Sequence, residues 1–247
     1  MRYEMRQCIL LALSVAIGAT AWAEIKDPVA TEVWQPVPRK INGAIGGMPP
    51  SDAIVLFDGS DLNEWKSQRD GRGAKWKVEN DYLVVVPGTG GILTSRVFGD
   101  IQLHIEWSSP SVIVGAGQGR GNSGVFLQER YEVQVLDSFE SKTYSNGQAG
   151  SIYKQSIPLV NASAAPGEWN VYDIIYRAPT FNSDGMKTSS AYITVLHNGV
   201  LIQNHVEVKG TTEFIGLPKN PAHGDAAIML QDHSHPVRFR SIWVREL

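Results

Sequence analysis

Residues 121–137, GNSGVFLQERYEVQVLD, constrain the fold more than any other part of the chain. Apolar and polar residues alternate on each side of a polar break at Glu129 and Arg130. Side chains of a strand point to opposite faces with a period of two, so the pattern predicts a β-hairpin. Glu132 and Gln134 then share one face, about 7 Å apart. A carboxylate and an amide in this arrangement are suited to the floor of a polar groove that holds a sugar.

The chain from Ala53 onward has the same character. Asn198-Gly199, between two alternating runs, is the strongest short-range hairpin signal. Many short antiparallel strands in about 200 residues predict an all-β sandwich of two sheets, because each sheet must bury one face. The candidate strands cover residues 76–78, 82–86, 102–107, 125–128, 131–136, 171–176, 191–197, 200–203, 227–230 and 237–245.

The N-terminus has the residue order of a secretory signal peptide. Arg2 and Arg6 precede an apolar stretch from Cys8 to Ala19, and Ala21-Trp22-Ala23 follows, with a small residue on each side of the tryptophan. We predict a signal peptide over residues 1–23, cleaved after Ala23, and hence a periplasmic or secreted protein. Cleavage removes the single cysteine of the chain, so the mature protein is expected to contain no disulfide.

Composition narrows the possible partners of the mature chain. Loss of residues 1–23 leaves a net charge of −4, and no basic cluster is present, which argues against a nucleic-acid partner. No second apolar run is long enough to span a membrane. Residues 24–52 contain five prolines and are predicted to form an extended leader before a single domain at 53–247. The sequence does not indicate an oligomeric state.

Seven sequence motifs, which follow one another in a fixed order along the chain, make it resemble the secreted 3-keto-disaccharide hydrolase domain. This family is related in fold to laminarinases and legume lectins. The resemblance covers residues 53–247 and implies a concanavalin A-like jelly-roll β-sandwich of two antiparallel sheets. The motifs are AIVLFDGSDLNEW (53–65), NSGVFLQ (122–128), YEVQVLD (131–137), GSIYK (150–154), GEWN (167–170), HNG (197–199) and LQDHSHPVRFRSI (230–242).

The chain departs from the family pattern in two places. Ser241 stands where the family usually has Asn, which implies a modest change in a structural contact. A glycine-rich loop with glycines at 115, 117, 119 and 121 precedes Asn122 and is expected to alter which aglycones fit. This loop lacks the Gly-Lys-Ser/Thr sequence and the following helix of a phosphate-binding loop, so we expect it to lie at the mouth of the groove.

Comparison with laminarinases argues against ordinary double-displacement hydrolysis. Their Glu-x-Asp-x-x-Glu motif corresponds here to Glu132, Gln134 and Asp137. A retaining glycosidase needs two carboxyls about 5–5.5 Å apart. Gln134 is not a carboxylate, and Asp137 faces away from Glu132 on a regular strand.

The substrate that the resemblance implies offers a different route. A ketone at carbon 3 of a glycoside acidifies the proton on carbon 2, so that a base can start an elimination that breaks the bond to the leaving oxygen, and water then adds. Such a site needs a base, an acid and a donor to the enolate oxygen. We take Glu132 and His233 as base and acid, in either assignment. Tyr153 or Arg240 would stabilise the enolate, whereas the residues expected to bind substrate hydroxyls are Asn122, Gln134 and Gln231.

Each candidate residue also has a structural interpretation. Glu132 would then be a solvent-exposed side chain, Asn122 would stabilise a turn, and Arg240 would pair with an acidic residue across the sheet. His233 and His235 have a spacing that can ligate a metal, but no third ligand is apparent nearby in the sequence. We therefore predict no metal site.

The sequence predicts a glycoside-cleaving enzyme, and the resemblance implies that it acts on 3-keto-glycosides. It needs no organic cofactor, since a separate enzyme would carry out the oxidation, and a structural calcium ion is not indicated. A non-catalytic carbohydrate-binding module is the first alternative, because the same groove would serve it. An ordinary endo-glucanase is the second.

Overall fold

The computed structural model describes residues 26–247, and nearly all of its regular structure is β-strand. The predicted signal peptide lies outside the described residues. One-turn 3-10 helices cover Pro28–Thr31, Gly117–Gly119 and Ser145–Gly147. The strands are β1 (Ile54–Phe57), β2 (Trp65–Ser67), β3 (Lys77–Glu79), β4 (Tyr82–Val84), β5 (Ile92–Thr94), β6 (Ile101–Ser108), β7 (Asn122–Leu127), β8 (Tyr131–Leu136), β9 (Asn170–Arg177), β10 (Thr180–Phe181), β11 (Lys187–Ser189), β12 (Ala191–His197), β13 (Val200–Val208), β14 (Met229–Leu230) and β15 (Arg238–Glu246).

Two antiparallel sheets form the sandwich. The larger sheet has eight strands in the order β13-β12-β9-β6-β15-β4-β3, with β1 also paired to β15. The smaller sheet has five strands in the order β2-β5-β14-β7-β8. Non-consecutive strands are neighbours in both sheets, so the chain crosses between them repeatedly. The expected jelly-roll β-sandwich is confirmed.

The core lies between the two sheets and follows from the alternation in the sequence. Leu103 and Ile105 of β6 face Val133 and Val135 of β8 in one cluster, and all four are fully buried. Tyr172 on β9 crosses this core and donates its hydroxyl to the carbonyl of Gln134 (2.8 Å). Because alternate residues of β8 face inward, Glu132 and Gln134 point to the outer face of the smaller sheet.

Every predicted strand corresponds to an observed one, but the hairpin at 121–137 differs in detail. Strand β7 already begins at Asn122, and Leu127 pairs with Tyr131, so the turn contains three residues rather than two. Gln128 belongs to this turn, where its buried side chain accepts from Tyr176 (2.7 Å) and donates to the carbonyl of Phe98 (2.9 Å). These bonds explain why a polar residue is buried there.

The N-terminal part of the chain divides at residue 40. The described residues before this division, 26–40, are exposed and include the short helix Pro28–Thr31. The second unit begins at Ile41, and within it Asp52 forms a two-bonded ion pair with Arg245 (2.8 Å each). Within residues 26–247, no helix has the length and apolar character needed to cross a membrane.

Candidate active site

A polar cavity of about 280 Å³ lies on the outer face of the smaller sheet, above β7 and β8. Its base is formed by the outward-facing residues of these two strands, and loops supply the walls. Six of the lining residues are predicted from the sequence to take part in catalysis or binding. The full lining comprises Gln118, Asn122, Phe126, Glu132, Gln134, Tyr153, Thr212, Phe214, Gln231 and His233.

Strand β8 lies at the edge of its sheet, and the segment at 150–153 covers that edge. The N–H of Gln134 donates to the carbonyl of Ser151 (3.0 Å), and the N–H of Tyr153 donates to the carbonyl of Glu132 (3.1 Å). This pairing satisfies backbone groups that an open edge would leave exposed. It also fixes Tyr153 directly beside Glu132.

Glu132 is a buried carboxyl, with 4% of its surface exposed. Burial raises the pKa of Glu132 to about 8, because desolvation disfavours the charged form. In the described part of the chain, no ion pair or hydrogen bond to the carboxyl offsets this effect. A carboxyl of this kind stays largely protonated at neutral pH and becomes an unusually strong carboxylate base as the pH rises through about 8.

Gly124 makes room for this carboxyl. A Cβ added at Gly124 would lie 2.5 Å from Oε1 of Glu132 and 2.9 Å from a ring carbon of Phe126. The glycine in the NSGVFLQ motif is therefore required by the close approach of the Glu132 side chain across the hairpin.

Gly124→Ala is expected to lower kcat about 10²-fold for the cleavage of 3-keto-glycosides that the sequence predicts, because the added methyl group displaces the Glu132 carboxyl. The protein should stay folded, since the end of this flexible side chain can move without the strand. Steady-state kinetics and circular dichroism of the purified variant check this. Gly73→Ala is the matched control, since its added Cβ has no heavy atom within 4 Å. Unchanged kcat in Gly124→Ala would show that the carboxyl does not need its observed position.

Tyr153 supplies a neutral hydroxyl beside Glu132. Its hydroxyl shares a hydrogen bond with that of Tyr144 (2.6 Å), and the two rings meet edge to face. The pKa of Tyr153 is raised, first by burial, then by the hydrogen bond with Tyr144, and further by the nearby charges of Tyr144 and Glu132. Tyr153 therefore keeps its proton and can donate it in a hydrogen bond to an oxyanion.

His233 lies at the mouth of the cavity and is exposed. Its ring is parallel to that of His235, with centroids 5.7 Å apart. The pKa of His233 is lowered, mainly by desolvation and then by repulsion from His235. The uncharged form of His233 is therefore favoured at neutral pH.

Hydrogen bonds around Gln118 fix the orientation of two cavity amides. Nε2 of Gln118 donates to the carbonyl of Gly147 (2.8 Å), so its Oε1 must face Gln134. Gln134 donates its Nε2 to that oxygen (2.9 Å), and Asn122 donates its Nδ2 to the backbone carbonyl of Gln118 (2.8 Å). The 3-10 turn in the glycine-rich loop thus holds both amides in one orientation.

This network leaves acceptors for a ligand. Among residues 26–247, Oδ1 of Asn122, Oε1 of Gln134 and Oε1 of Gln231 are buried and have no hydrogen-bond partner. Buried polar atoms normally have one, so three such atoms around one cavity indicate a ligand that donates hydrogen bonds. Sugar hydroxyls have that property.

Arg240 does not reach this cavity. It lies on β15 in the larger sheet, where Phe239 faces the core and Arg240 therefore faces outward on the opposite side of the sandwich. Its guanidinium donates to Glu106 (2.6 Å) and stacks over Trp169 (4.1 Å from the ring centroid). The prediction that Arg240 stabilises an enolate is wrong, and its alternative, an ion pair across the sheet, is confirmed.

Asp137 is likewise engaged elsewhere. It is buried and accepts from Nε of Arg120 (2.6 Å), immediately after β8 ends. The cavity lining given above therefore contains one carboxyl, that of Glu132. Within the described residues, no group of three or more His, Cys, Asp or Glu side chains is placed to hold a metal ion.

Sequence reasoning missed four lining residues and one neighbour of the cavity. Phe126 was accessible from the hairpin register, since it pairs with Glu132. Gln118, Thr212 and Phe214 lie in loops without a periodic signal. Lys154, next to Tyr153 in GSIYK, places its ammonium 4.5 Å from the Phe214 ring centroid and donates to the Phe214 carbonyl (2.5 Å), which holds this wall of the cavity in place.

Comparisons with known proteins agree with this fold. A crystal structure of a candidate glycosyl hydrolase from Parabacteroides distasonis ATCC 8503 is 51% identical, with a TM-score of 0.86, and covers 93% of this chain and 100% of its own. Two other such proteins from the same organism are 21% and 20% identical, with TM-scores of 0.59 and 0.54, and cover 79% of this chain and 94% and 99% of their own; they share the fold. No curated protein matches the sequence. Residues 52–245 match the 3-keto-alpha-glucoside-1,2-lyase-like domain, and the chain belongs to that family.

Proposed function

We propose that this protein cleaves 3-keto-glycosides by elimination followed by hydration. The observation that carries the proposal is Glu132: a buried carboxyl with a pKa of about 8, without a second carboxyl in its cavity. A double displacement needs two carboxyls, whereas removal of an acidic C–H proton needs one strong base. The family to which the chain belongs is named for 3-keto-glucoside cleavage, which supports the same substrate class.

The positions of Glu132 and His233 favour one assignment of their roles. Glu132 lies buried at the base of the cavity, and His233 lies exposed at its mouth. The leaving group of a glycoside must depart toward solvent, so the acid that protonates it belongs at the mouth. Glu132 is then the base at carbon 2, and His233 is the acid at the leaving oxygen.

The steps balance without a cofactor. The carboxylate of Glu132 takes the proton from carbon 2, and the electron pair moves into an enolate on the carbon 3 oxygen, to which Tyr153 donates a hydrogen bond. The enolate re-forms the ketone, a double bond forms between carbons 1 and 2, and the bond from carbon 1 to the leaving oxygen breaks. The form of the site that reacts has Glu132 ionised and His233 protonated, and the His233 imidazolium donates its proton to that oxygen. Water then adds its hydroxyl to carbon 1 and a proton to carbon 2, giving the free 3-keto sugar.

The remaining polar groups of the cavity would bind the substrate. Asn122, Gln134 and Gln231 each present an unpaired oxygen that can accept from a hydroxyl. A pure binding module would not need the buried carboxyl, which destabilises the folded protein at neutral pH. The same carboxyl is useful to an enzyme, so its presence favours catalysis over binding alone.

The test is product release from a 3-keto-disaccharide and from its unoxidised counterpart, measured side by side by chromatography. The mature protein is expected to cleave the keto sugar and to leave the unoxidised sugar intact. Cleavage of unoxidised glucans would instead restore the glycosidase alternative. Binding of both sugars without cleavage of either would favour a carbohydrate-binding module.

A further inference from the structure

A second groove, of about 190 Å³, lies beside the candidate active site. Its walls are mainly aliphatic, and they come from the loop that precedes the glycine-rich turn and from the segment after β14. The residues that form these walls are Pro110, Val112, Ile113, Val114, His235 and Pro236.

The groove continues the active-site cavity. Gly121 lines the groove, and the next residue, Asn122, lines the cavity. His235 lines the groove and His233 lines the cavity, and their parallel rings are 5.7 Å apart. A molecule bound in the cavity with its leaving group at His233 would therefore extend into the groove.

The chemistry of the groove is apolar. Val112, Ile113 and Val114 are consecutive aliphatic residues with 73%, 53% and 67% of their surfaces exposed. Contiguous exposed aliphatic residues of this kind commonly mark a binding surface. The charged residues of the lining, Arg120 and Asp137, are paired with each other (2.6 Å) and leave no uncompensated charge for a ligand.

A second sugar ring is a poor match for this groove. Its several hydroxyls would each need a polar partner once removed from water. Within the described residues, the groove offers one buried side-chain atom without a partner, Nδ1 of His235. An apolar ring has no such requirement, and the volume exceeds the roughly 150 Å³ of an apolar cavity that binds benzene.

We propose that this groove binds the aglycone of the substrate and selects an apolar one, an aryl or branched alkyl group. This inference rests on the proposed cleavage of 3-keto-glycosides. The preferred substrates of the protein are then 3-keto-glucosides of apolar alcohols and phenols, and 3-keto-disaccharides are poorer substrates.

Benzyl and methyl 3-keto-glucosides test the inference, because their leaving alcohols have similar acidity and differ in the apolar ring. The kcat/KM of the wild-type protein is expected to be about 30-fold higher for the benzyl glucoside, the gain from burying one phenyl ring. In Ile113→Asn the ratio of the two kcat/KM values is expected to fall toward one. Ile157→Asn is the matched control, since Ile157 is 58% exposed, does not line the groove, and should keep the wild-type ratio.

Two outcomes would overturn the inference while the proposed function stands: a wild-type ratio near one, or a high ratio that Ile113→Asn leaves unchanged. If neither glucoside is cleaved, calorimetric binding of the two compounds decides the role of the groove, and cleavage of the 3-keto-disaccharide decides whether the proposed function has failed as well. Tighter binding of the benzyl glucoside that is lost in Ile113→Asn would support an apolar subsite. Equal binding of the two would overturn it.

Discussion

Glu132→Gln is expected to lower kcat/KM for 3-keto-glycosides by about 10³-fold, because the amide cannot accept the proton from carbon 2. The side chain is nearly isosteric, and the backbone N–H of Glu132, which donates to Thr212 (3.0 Å), is unaffected. The protein should therefore remain folded. Steady-state kinetics of the purified variant measure the loss. Glu168→Gln, at an exposed position in the GEWN motif, is the matched control and should retain wild-type activity.

Two leaving groups separate the roles of Glu132 and His233. A nitrophenolate leaves without protonation, whereas a sugar alkoxide needs an acid. If Glu132 is the base, Glu132→Gln loses activity on both the nitrophenyl 3-keto-glucoside and the 3-keto-disaccharide. Activity that survives on the nitrophenyl substrate alone would make Glu132 the acid and His233 the base. Full turnover of both substrates would remove Glu132 from catalysis.

The same substitution is expected to stabilise the folded protein at neutral and alkaline pH. The pKa of Glu132 is about 8 in the folded protein, against a reference value of 4.5. The folded state therefore holds this proton more tightly than the unfolded state, and wild-type stability falls as the pH rises from 4.5 to about 8. The wild type is therefore expected to lose about 5 kcal/mol of unfolding free energy over the whole pH range, and roughly 3 kcal/mol of it by pH 7.

This effect is measured by urea unfolding at pH 4.5, 7 and 8.5. These values cover the range, from roughly pH 4.5 to 8, over which the stability of the wild type falls. The free energy of unfolding of Glu132→Gln should equal that of the wild type at pH 4.5 and exceed it increasingly as the pH rises. That of Glu168→Gln should equal the wild-type value at every pH. If the free energies of unfolding of Glu132→Gln and the wild type differed by the same amount at every pH, the Glu132 carboxyl would titrate in the folded protein as it does in water. Loss of activity together with a gain in stability is typical of a functional residue in an unfavourable environment.

Residue patterning predicted all of the long strands but only some of the short ones. The alternation along 102–107 and 191–197 is long enough to define a period of two, and both strands formed. Strands β2 and β5 have three residues each, too few for a period to be visible. Strand β1 was hidden within a motif and is identified only by its pairing with β15. Ser241, the departure from the family pattern, has a φ of 47° in β15, a conformation that Asn adopts more readily than Ser.

The part of the candidate site that lies on the β7–β8 hairpin could be predicted from the sequence. The register of β7 and β8 places Glu132, Gln134 and Asn122 on one face, and the alternation specifies that face. Arg240 has the same alternating context on β15, but alternation does not say to which sheet a strand belongs, and so its position was predicted wrongly. Thr212 and Phe214 reach the cavity through a loop whose path depends on the whole fold. The catalytic and binding roles of the predicted residues that line the cavity stay predictions.

The most direct test of the account is cleavage of 3-keto-trehalose beside trehalose in D₂O, with the released sugars analysed by mass spectrometry and NMR. Elimination followed by hydration predicts glucose and 3-keto-glucose from the oxidised sugar alone, with deuterium at carbon 2 of the 3-keto-glucose at the first time points. Authentic 3-keto-glucose incubated with the protein for the same time corrects for exchange after release. Release of 3-keto-glucose that retains its hydrogen at carbon 2, or cleavage of trehalose itself, would contradict the account.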